Sequence, residues 1–215
     1  MTTSLVMRPV GPPAAREPLV DVETTALEGV LLFRPSPFRD DRGFFSRTYD
    51  DAVAREWGIT RADYVQDSQS RSGHGVLRGL HGRNHGGEGK IIRVAHGAAH
   101  LVVVDGRLES PTLGRHVAVR LDDHEMVSIR VPRRMLVGFQ VVGEVADVCY
   151  AIDRVHDPIQ AVSVHWADPD LGVDWPMPPS ATSERDRVAP SWADYLRTLD
   201  GAPGEVPAPR GEAGR

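Results

Sequence analysis

The sequence predicts an all-β fold, a sandwich or a barrel, and three observations support this prediction. Short apolar runs recur at nearly even spacing, and several alternate apolar with polar residues, as half-buried strands do. Turn-forming residues separate the runs. Few segments have helical periodicity, and the whole pattern is typical of antiparallel sandwiches and barrels. The clearest predicted strands are 101–105, 116–121, 126–132, 135–142, 147–152 and 161–166.

Short helices are predicted only at the periphery and near the C-terminus. Residues 52–57 are expected to form a helical turn that Gly58 ends. Residues 192–199 follow Pro190 and Ser191, a pair that is typical of a capped helix start. No repeat with a period of roughly 20 to 50 residues is present, which argues against a repeat architecture.

The length and composition predict one domain with two tails. The chain has 215 residues, 40% of them hydrophobic, which suffices for one compact core. We predict that this single domain spans residues 25–200. Residues 1–24 are rich in Pro and Arg and are predicted to be a flexible arm. Residues 201–215 are rich in Gly, Pro and charge and are predicted to be a disordered tail.

Charge and cysteine content exclude several classes of partner. A net charge of −5 argues against nucleic-acid binding by a basic surface. No segment has the apolar length of a signal peptide or a membrane span. Cys149 is the only cysteine, so an internal disulfide framework is excluded and a reducing compartment is favoured. We therefore expect a cytoplasmic protein with no nucleic-acid or membrane partner.

Lys90 is the only lysine of a chain that otherwise uses arginine for positive charge. It follows a Gly-rich link, residues 86–89, and a block that contains Arg78, Gly79 and His81. A compact ammonium can sit beside a developing negative charge where a larger guanidinium does not fit. The alternative is an exposed lysine that remains by chance, and the surrounding residues favour a functional one.

The spacing of Arg78 and His81 bears on whether they can share a site. Residues three apart face opposite sides of a regular strand. They can share a face only if the strand is bent or bulged, and Gly79 is the residue at which a bulge is expected.

A metal site is not expected. The sequence contains no His-x-His pair, and His81 with His85 has no matching carboxylate and histidine downstream. We predict that the protein uses neither a metal ion nor another cofactor.

Several separate motifs resemble one known family in their order and spacing. Together they make the sequence similar to the dTDP-4-dehydrorhamnose 3,5-epimerase family over about residues 25 to 190. The resemblance implies a cupin-type jelly-roll β-sandwich, a homodimer with site residues shared between subunits, and no metal. The implied substrate is a dTDP-linked 4-keto-6-deoxysugar. The matching segments are 38–45, 66–70, 76–81, 89–90, 105–114, 138–139, 150, 166–169 and 174–176.

The resemblance also implies catalytic roles. Inversion of a carbon beside a ketone requires a base on one face, a stabilised enolate, and an acid on the other face. By similarity to the family, His81 is the base and Asp186 orients it. Lys90 is the group that stabilises the enolate oxygen at C4, and Tyr150 is the acid. Packing on an apolar strand is the alternative role for Tyr150.

Substrate-binding residues follow from the same resemblance. Arg78 and Arg42, the latter from the partner subunit, are expected to bind the diphosphate through their forked guanidinium donors. A turn position is the alternative for Arg42. Four further residues are expected to contact the substrate: Phe45, Arg47, Gln66 and His156.

Three positions depart from the family pattern. Val137 stands where the family has a histidine, His156 where it has a tyrosine, and Arg47 where it has a glutamate. These differences leave open whether C3, C5 or both carbons are inverted. We expect an epimerase of deoxysugar biosynthesis that acts on a modified sugar, of the kind that supplies glycosylated secondary metabolites.

Two alternative functions remain at the level of the sequence. One is a related enolate-forming isomerase that acts on a nucleotide sugar. The other is a catalytically inactive cupin that binds a nucleotide sugar. The presence of His81, Lys90 and Tyr150 together argues against the inactive protein, because pure binding requires neither an acid nor a base.

Overall fold

The computed structural model describes residues 19–84 and 86–200. Three α-helices and a 3₁₀ turn, Arg61–Asp63, accompany the strands. The helices are α1 (Asp51–Glu56), α2 (Glu184–Arg187) and α3 (Trp192–Asp200). The strands are β1 (Val20–Thr24), β2 (Leu31–Pro35), β3 (Phe38–Asp40), β4 (Gly43–Phe45), β5 (Gln66–Gly73), β6 (Leu77–Arg83), β7 (Lys90–Asp105), β8 (His116–Asp122), β9 (Ser128–Val131), β10 (Met135–Ile152) and β11 (Ala161–Ser163).

The strands form one large antiparallel network and one separate hairpin. Nine strands are connected in the order β1-β2-β9-β7-β10-β6-β11, with β5 also paired to β10 and β8 to β7. The hairpin consists of β3 and β4. The predicted all-β class is therefore confirmed. None of the helices in the described part of the chain has the length and apolar character that a membrane-spanning helix needs.

Two long strands, β7 and β10, organise the molecule. They pair with each other almost end to end, with a register shift between Val141 and Ala146. β7 pairs with β9 near its start and with β8 further along, while β10 pairs first with β6 and then with β5. Each long strand therefore contributes to two groups of shorter strands. The main apolar core includes buried residues of β2, β7, β8, β9 and β10.

The long strands differ from the prediction. Segments 135–142 and 147–152, predicted as two strands, are both part of β10, and segment 101–105 is only the end of β7. Between the two predicted segments the chain stays in one strand and passes through an irregularity in its pairing with β7. The predicted helices at 52–57 and 192–199 correspond to α1 and α3.

The start of the described part of the chain also differs from the prediction. Residues 20–24, assigned to the flexible arm, form β1 and pair with β2. The physical reason is burial, since Val20 packs in a cluster with Leu31, Phe33 and Ala54. The rest of the predicted arm, residues 1–18, and the predicted tail, residues 201–215, lie outside the described residues.

A buried carboxylate at the end of β7 fixes the loop that follows. Asp105 is fully buried and accepts hydrogen bonds from Ser110 Oγ and Thr112 Oγ1, both at 2.6 Å, and from Arg107 Nη2 at 2.7 Å. Burial alone would raise the pKa of Asp105, but these donors outweigh it and hold the pKa well below the ordinary value. The carboxylate therefore stabilises the fold in its charged form.

We expect Asp105→Asn to lower the free energy of unfolding by about 3 kcal/mol at neutral pH, because it leaves Arg107 without its buried partner. A group with a depressed folded-state pKa contributes stability above its unfolded pKa and loses it as the pH falls. The difference between wild type and variant should therefore shrink below about pH 4. Urea unfolding of both proteins at several pH values measures this difference in the free energy of unfolding. Glu109→Gln, an exposed carboxylate of the same loop, is the control and should change stability by less than about 0.5 kcal/mol.

Candidate active site

A bulge in β6 brings Arg78 and His81 to the same side of the sheet. Arg78 pairs with Phe139 and His81 with Val137, so three steps along β6 match two steps along β10. At Gly79, φ is +134°, and a Cβ there would lie 2.4 Å from Gly138 Cα. Only glycine fits this close approach of the two strands. The bulge expected at Gly79 is confirmed.

One cavity of about 290 Å³ collects most of the predicted site residues. His81 and Arg78 reach it from β6, Lys90 from the first position of β7, and Tyr150 from β10. Two apolar side chains of β10, Val137 and Phe139, also line it. Three strands therefore converge on a pocket that combines an imidazole, an ammonium and a phenol. His156 lines it as well.

His81 and Asp186 form a close pair. His81 Nε2 lies 2.6 Å from Asp186 Oδ1, and the aspartate is buried while the imidazole is 38% exposed. The backbone N–H of Asp186 donates to Ser183 Oγ at 3.1 Å, which fixes the start of α2. Burial alone would raise the pKa of Asp186, but the hydrogen bond and charge of His81 hold it below the usual range. Because the charged Asp186 carboxylate accepts a hydrogen bond from Nε2–H, Nδ1 is the ring nitrogen that can accept a proton.

Lys90 is nearly buried and has a carboxylate partner. Its Nζ lies 2.9 Å from Glu88 Oε1, and its side chain is 11% exposed. Lys90 pairs through the backbone with Val131 of β9 and Ile152 of β10. The ammonium is therefore held between two strands at the wall of the cavity.

Tyr150 presents a phenol to the cavity from the second half of β10. Burial raises the pKa of Tyr150 to about 12, and the nearby Ser70 hydroxyl and Arg78 charge offset only part of the rise. The phenol therefore keeps its proton at neutral pH. A protonated phenol beside a base and a cation can serve as an acid.

Two predicted binding residues contact each other at the edge of the cavity. The backbone N–H of His156 donates to Gln66 Oε1 at 2.8 Å. Gln66 itself does not line the cavity, so its contact is to the loop that carries His156. This loop, residues 153–160, connects β10 to β11.

Three further predicted binding residues also do not line the cavity of their own chain. Arg42 and Phe45 lie on the β3–β4 hairpin, where the Arg42 side chain is 90% exposed and Phe45 is 64% exposed. Arg42 is paired only with Asp40, at 2.5 Å. Arg47 contacts Asp50, the residue that caps α1. The hairpin is a separate two-stranded sheet, which explains the distance from the cavity.

The structure also places charged residues in the cavity that the sequence did not predict as site residues. They are Arg83, Glu88, Asp157 and Arg185. Three of them stand close to predicted residues in the sequence, since Asp157 follows His156, Arg185 precedes Asp186 and Glu88 precedes the Gly89-Lys90 pair. Proximity to a predicted residue is the only signal that could have identified them.

Among the residues that the structure describes, no group of three or more His, Cys, Asp or Glu side chains could hold a metal ion. His85 lies outside the described residues. Metal independence therefore stays a prediction.

An antiparallel β fold with an imidazole, an ammonium and a phenol around one cavity fits a cupin-type enzyme. A family model described as dTDP-4-dehydrorhamnose 3,5-epimerase matches residues 24–194 of the chain. The chain therefore belongs to the dTDP-4-dehydrorhamnose 3,5-epimerase family, as its motifs predicted.

Individual relatives agree with this assignment. The dTDP-4-dehydrorhamnose 3,5-epimerase of Pseudomonas aeruginosa is 37% identical over 170 residues, which are 79% of this chain and 94% of that protein. NovW, a 4-keto-6-deoxy sugar epimerase from the novobiocin biosynthetic gene cluster of Streptomyces spheroides, superposes with a TM-score of 0.80 at 30% identity. This match covers 86% of this chain and 94% of NovW.

A third relative was solved with a ligand. The dTDP-6-deoxy-D-glucose-3,5-epimerase RmlC of Legionella pneumophila, in complex with dTDP-4-keto-L-rhamnose, superposes with a TM-score of 0.76 at 34% identity. The match covers 80% of this chain and 92% of that one. The predicted cupin-type jelly roll is confirmed by these likenesses.

Proposed function

We propose that this protein inverts C3, C5 or both carbons of a dTDP-linked 4-keto-6-deoxyhexose through an enolate. The observation that carries the proposal is the single cavity in which His81, Lys90 and Tyr150 meet, with Asp186 bound to His81. The ligand of the Legionella relative, dTDP-4-keto-L-rhamnose, supports this class of substrate.

The proposed reaction begins with proton abstraction. His81 Nδ1 removes the proton from a carbon beside the ketone, and the electron pair of the broken C–H bond forms the enolate. Negative charge develops on the C4 oxygen, where the ammonium of Lys90 donates a hydrogen bond. Asp186 stabilises the imidazolium that forms and holds the ring in one orientation.

The second half of the proposed reaction returns a proton to the opposite face. The Tyr150 phenol gives its proton to the carbon, and the enolate electron pair forms the new C–H bond. The phenolate then recovers a proton from solvent, and the imidazolium releases one to solvent. The raised pKa of Tyr150, about 12, keeps the phenol protonated until the enolate forms.

Arg78 is proposed to bind the diphosphate from the same chain. It is exposed in the cavity, and its Nε donates to Ser72 Oγ at 3.0 Å, which directs the rest of the guanidinium outward. A forked guanidinium suits bidentate binding of phosphate oxygens.

The substrate is proposed to be a modified deoxysugar of secondary metabolism. Val137 forms part of the cavity wall where the family has a histidine, so this wall offers no hydrogen bond. His156 replaces a tyrosine at the edge of the cavity. The likeness to NovW, which comes from an antibiotic gene cluster, supports the same role.

The configuration of the product tests the proposed function. The protein is incubated with dTDP-4-keto-6-deoxyglucose, and proton NMR couplings report the configuration at C3 and C5. We expect an epimer inverted at one or both carbons. A product whose carbonyl group has moved would instead identify an isomerase, and binding without any conversion would identify an inactive cupin.

We expect Tyr150→Phe to separate exchange from inversion. Abstraction by His81 does not need the phenol, so deuterium from heavy water should still enter at C3, while inversion at C5 should be lost. NMR of the recovered sugar measures both. Tyr195→Phe is the control, since burial also raises the pKa of Tyr195 to about 12 but this residue lies outside the cavity. Equal loss of exchange at every position would assign Tyr150 to binding.

A cytoplasmic homodimer with shared sites is also proposed. Arg42 and Phe45 are exposed on the hairpin, together with Phe38 and Phe44, which are 59% and 57% exposed. An exposed aromatic hairpin of this kind is suited to pack against a second copy of the chain. In such a dimer, Arg42 of the partner subunit would reach the diphosphate.

Mixed dimers test the shared site. His81→Ala and Arg42→Ala chains are co-expressed with different tags, and activity is measured at a substrate concentration far below KM. Random pairing gives one intact site in half of the dimers, so about a quarter of the wild-type activity should return if both residues serve the same site across the interface. Activity no higher than the mean of the two separate variants would contradict the shared site.

A further inference from the structure

Glu88 lines the cavity, but the proposed reaction does not use it. Its Oε1 lies 2.9 Å from Lys90 Nζ, and its Oε2 lies 3.9 Å from Arg83 Nη1. The three side chains are only 11% to 18% exposed. A carboxylate thus sits between the ammonium proposed to face the substrate and a second cation.

The backbone around Glu88 is fixed by a separate interaction. The N–H of Gly89 donates to Asp153 Oδ1 at 2.7 Å, and Arg133 Nε donates to Asp153 Oδ2 at 2.7 Å. A Cβ on Gly89 would lie 2.9 Å from the Asp153 carboxylate. Glu88 and Lys90 therefore lie on either side of Gly89, whose backbone is held in place by Asp153.

An ammonium on a four-carbon stem needs a partner to hold it in one place. Lysine has four flexible side-chain bonds and three equivalent donors, so its charge has no fixed direction of its own. Glu88 engages one donor and leaves two for a ligand. Without a partner, a cation that is 11% exposed would also lose solvation without compensation.

Arg83 makes Glu88 an unsuitable site for a cationic ligand. Its Nη1 donates to the Val155 carbonyl at 2.8 Å and its Nε donates to Gln160 Oε1 at 3.1 Å. Arg83 is thereby tied to the 153–160 loop and remains near Glu88. With two cations beside it, the carboxylate is already compensated, so its role concerns Lys90.

We propose that Glu88 is a positioning residue, which holds the ammonium of Lys90 toward the C4 oxygen of the substrate. Its role rests on the proposed function, because it acts through Lys90 and not on the substrate. The alternative role is competition, in which Glu88 draws the ammonium away from the developing enolate and slows the reaction.

The unique lysine allows a direct test that needs no substrate. Protein is produced with lysine labelled by ¹⁵N at Nζ only, with a tag that contains no lysine, so that a single ammonium signal is possible. An ammonium held in a shielded ion pair exchanges its protons slowly enough to be observed. We expect that signal in wild type and in Arg120→Gln, which breaks an ion pair with Asp122 on β8 and leaves the cavity lining unchanged. It should be lost, or shift to the free-lysine position, in Glu88→Ala.

Kinetics distinguish positioning from competition. We expect Glu88→Ala to lower kcat about 100-fold, the size expected for a misplaced catalytic group. Glu88→Gln keeps the volume and the acceptor oxygen, so its kcat should lie between those of Glu88→Ala and wild type. The affinity for dTDP should change by less than about threefold in both, because the diphosphate residues are untouched. Thermal unfolding identifies any variant that is merely unstable.

Each outcome decides the role of Glu88. An unchanged Nζ signal, or an unchanged kcat in a folded Glu88→Ala protein, would overturn the proposal. A higher kcat would show competition and overturn it too. If wild type converts no substrate, the proposed function fails, while the NMR comparison still decides whether Glu88 holds Lys90.

Discussion

Replacement of His81 by alanine should abolish exchange of the proton beside the ketone. His81 is half-exposed in the cavity, with its Nε2 bound to a buried carboxylate. No other imidazole that contacts a buried carboxylate lines the cavity among residues 19–84 and 86–200. Loss of a general base costs about 10²- to 10⁴-fold in rate. Deuterium uptake from heavy water, followed by NMR, measures the loss.

A matched variant distinguishes catalysis from packing. His74→Ala removes an exposed imidazole that contacts the Gly143 carbonyl and does not line the cavity, and this variant should retain full exchange. Asp186→Asn should keep the contact with His81 but remove the negative charge of the carboxylate. We expect a large loss of rate with only a modest change in melting temperature. Exchange at the wild-type rate in His81→Ala would remove His81 from the mechanism.

Replacement of Lys90 by arginine should lower kcat by about 10²- to 10³-fold, the size expected when one donor to a developing oxyanion is lost. The charge is kept, but it is spread over a planar group that is too large for a position shared with Glu88 at 2.9 Å. Steady-state kinetics with dTDP-4-keto-6-deoxyglucose measures the loss. Affinity for dTDP and folding should stay near normal, because Lys90 is not proposed to bind the diphosphate.

The reverse substitution on the same strand is the control for Lys90. Arg93→Lys exchanges the same two residue types three positions along β7, at a residue that does not line the cavity. It should leave kcat unchanged. A fully active Lys90→Arg enzyme would mean that a guanidinium serves equally well and that the unique lysine has no catalytic significance.

The sequence predicted the β class because its signals are local, and composition alone singled out Lys90 as the only lysine. The roles of His81 and Tyr150 followed from resemblance to a family. Alternating runs identified several strands, and Gly79 indicated the bulge that unites Arg78 and His81. The partnership of His81 with Asp186 spans 105 residues and followed only from resemblance to a family. No local pattern links two positions that a strand bulge and a short helix bring together.

The sequence was less informative where tertiary pairing overrides local signals. Segments 135–142 and 147–152 were predicted as separate strands, yet β10 is continuous because β7 pairs with it on both sides of the irregularity. The Glu88–Lys90 pair was not predicted, because Glu88 lies in a Gly-rich link before β7 whose backbone conformation the sequence does not specify.

Incorporation of solvent deuterium by the wild-type protein tests the central claim most directly. The protein is first treated exhaustively with a chelator and then incubated with dTDP-4-keto-6-deoxyglucose in heavy water. We predict carbon-bound deuterium at C3, C5 or both, because abstraction and return of a proton require only His81, Lys90 and Tyr150. An epimerised product without deuterium would contradict exchange through an enolate, and uptake that depends on added divalent metal would contradict the metal-free site.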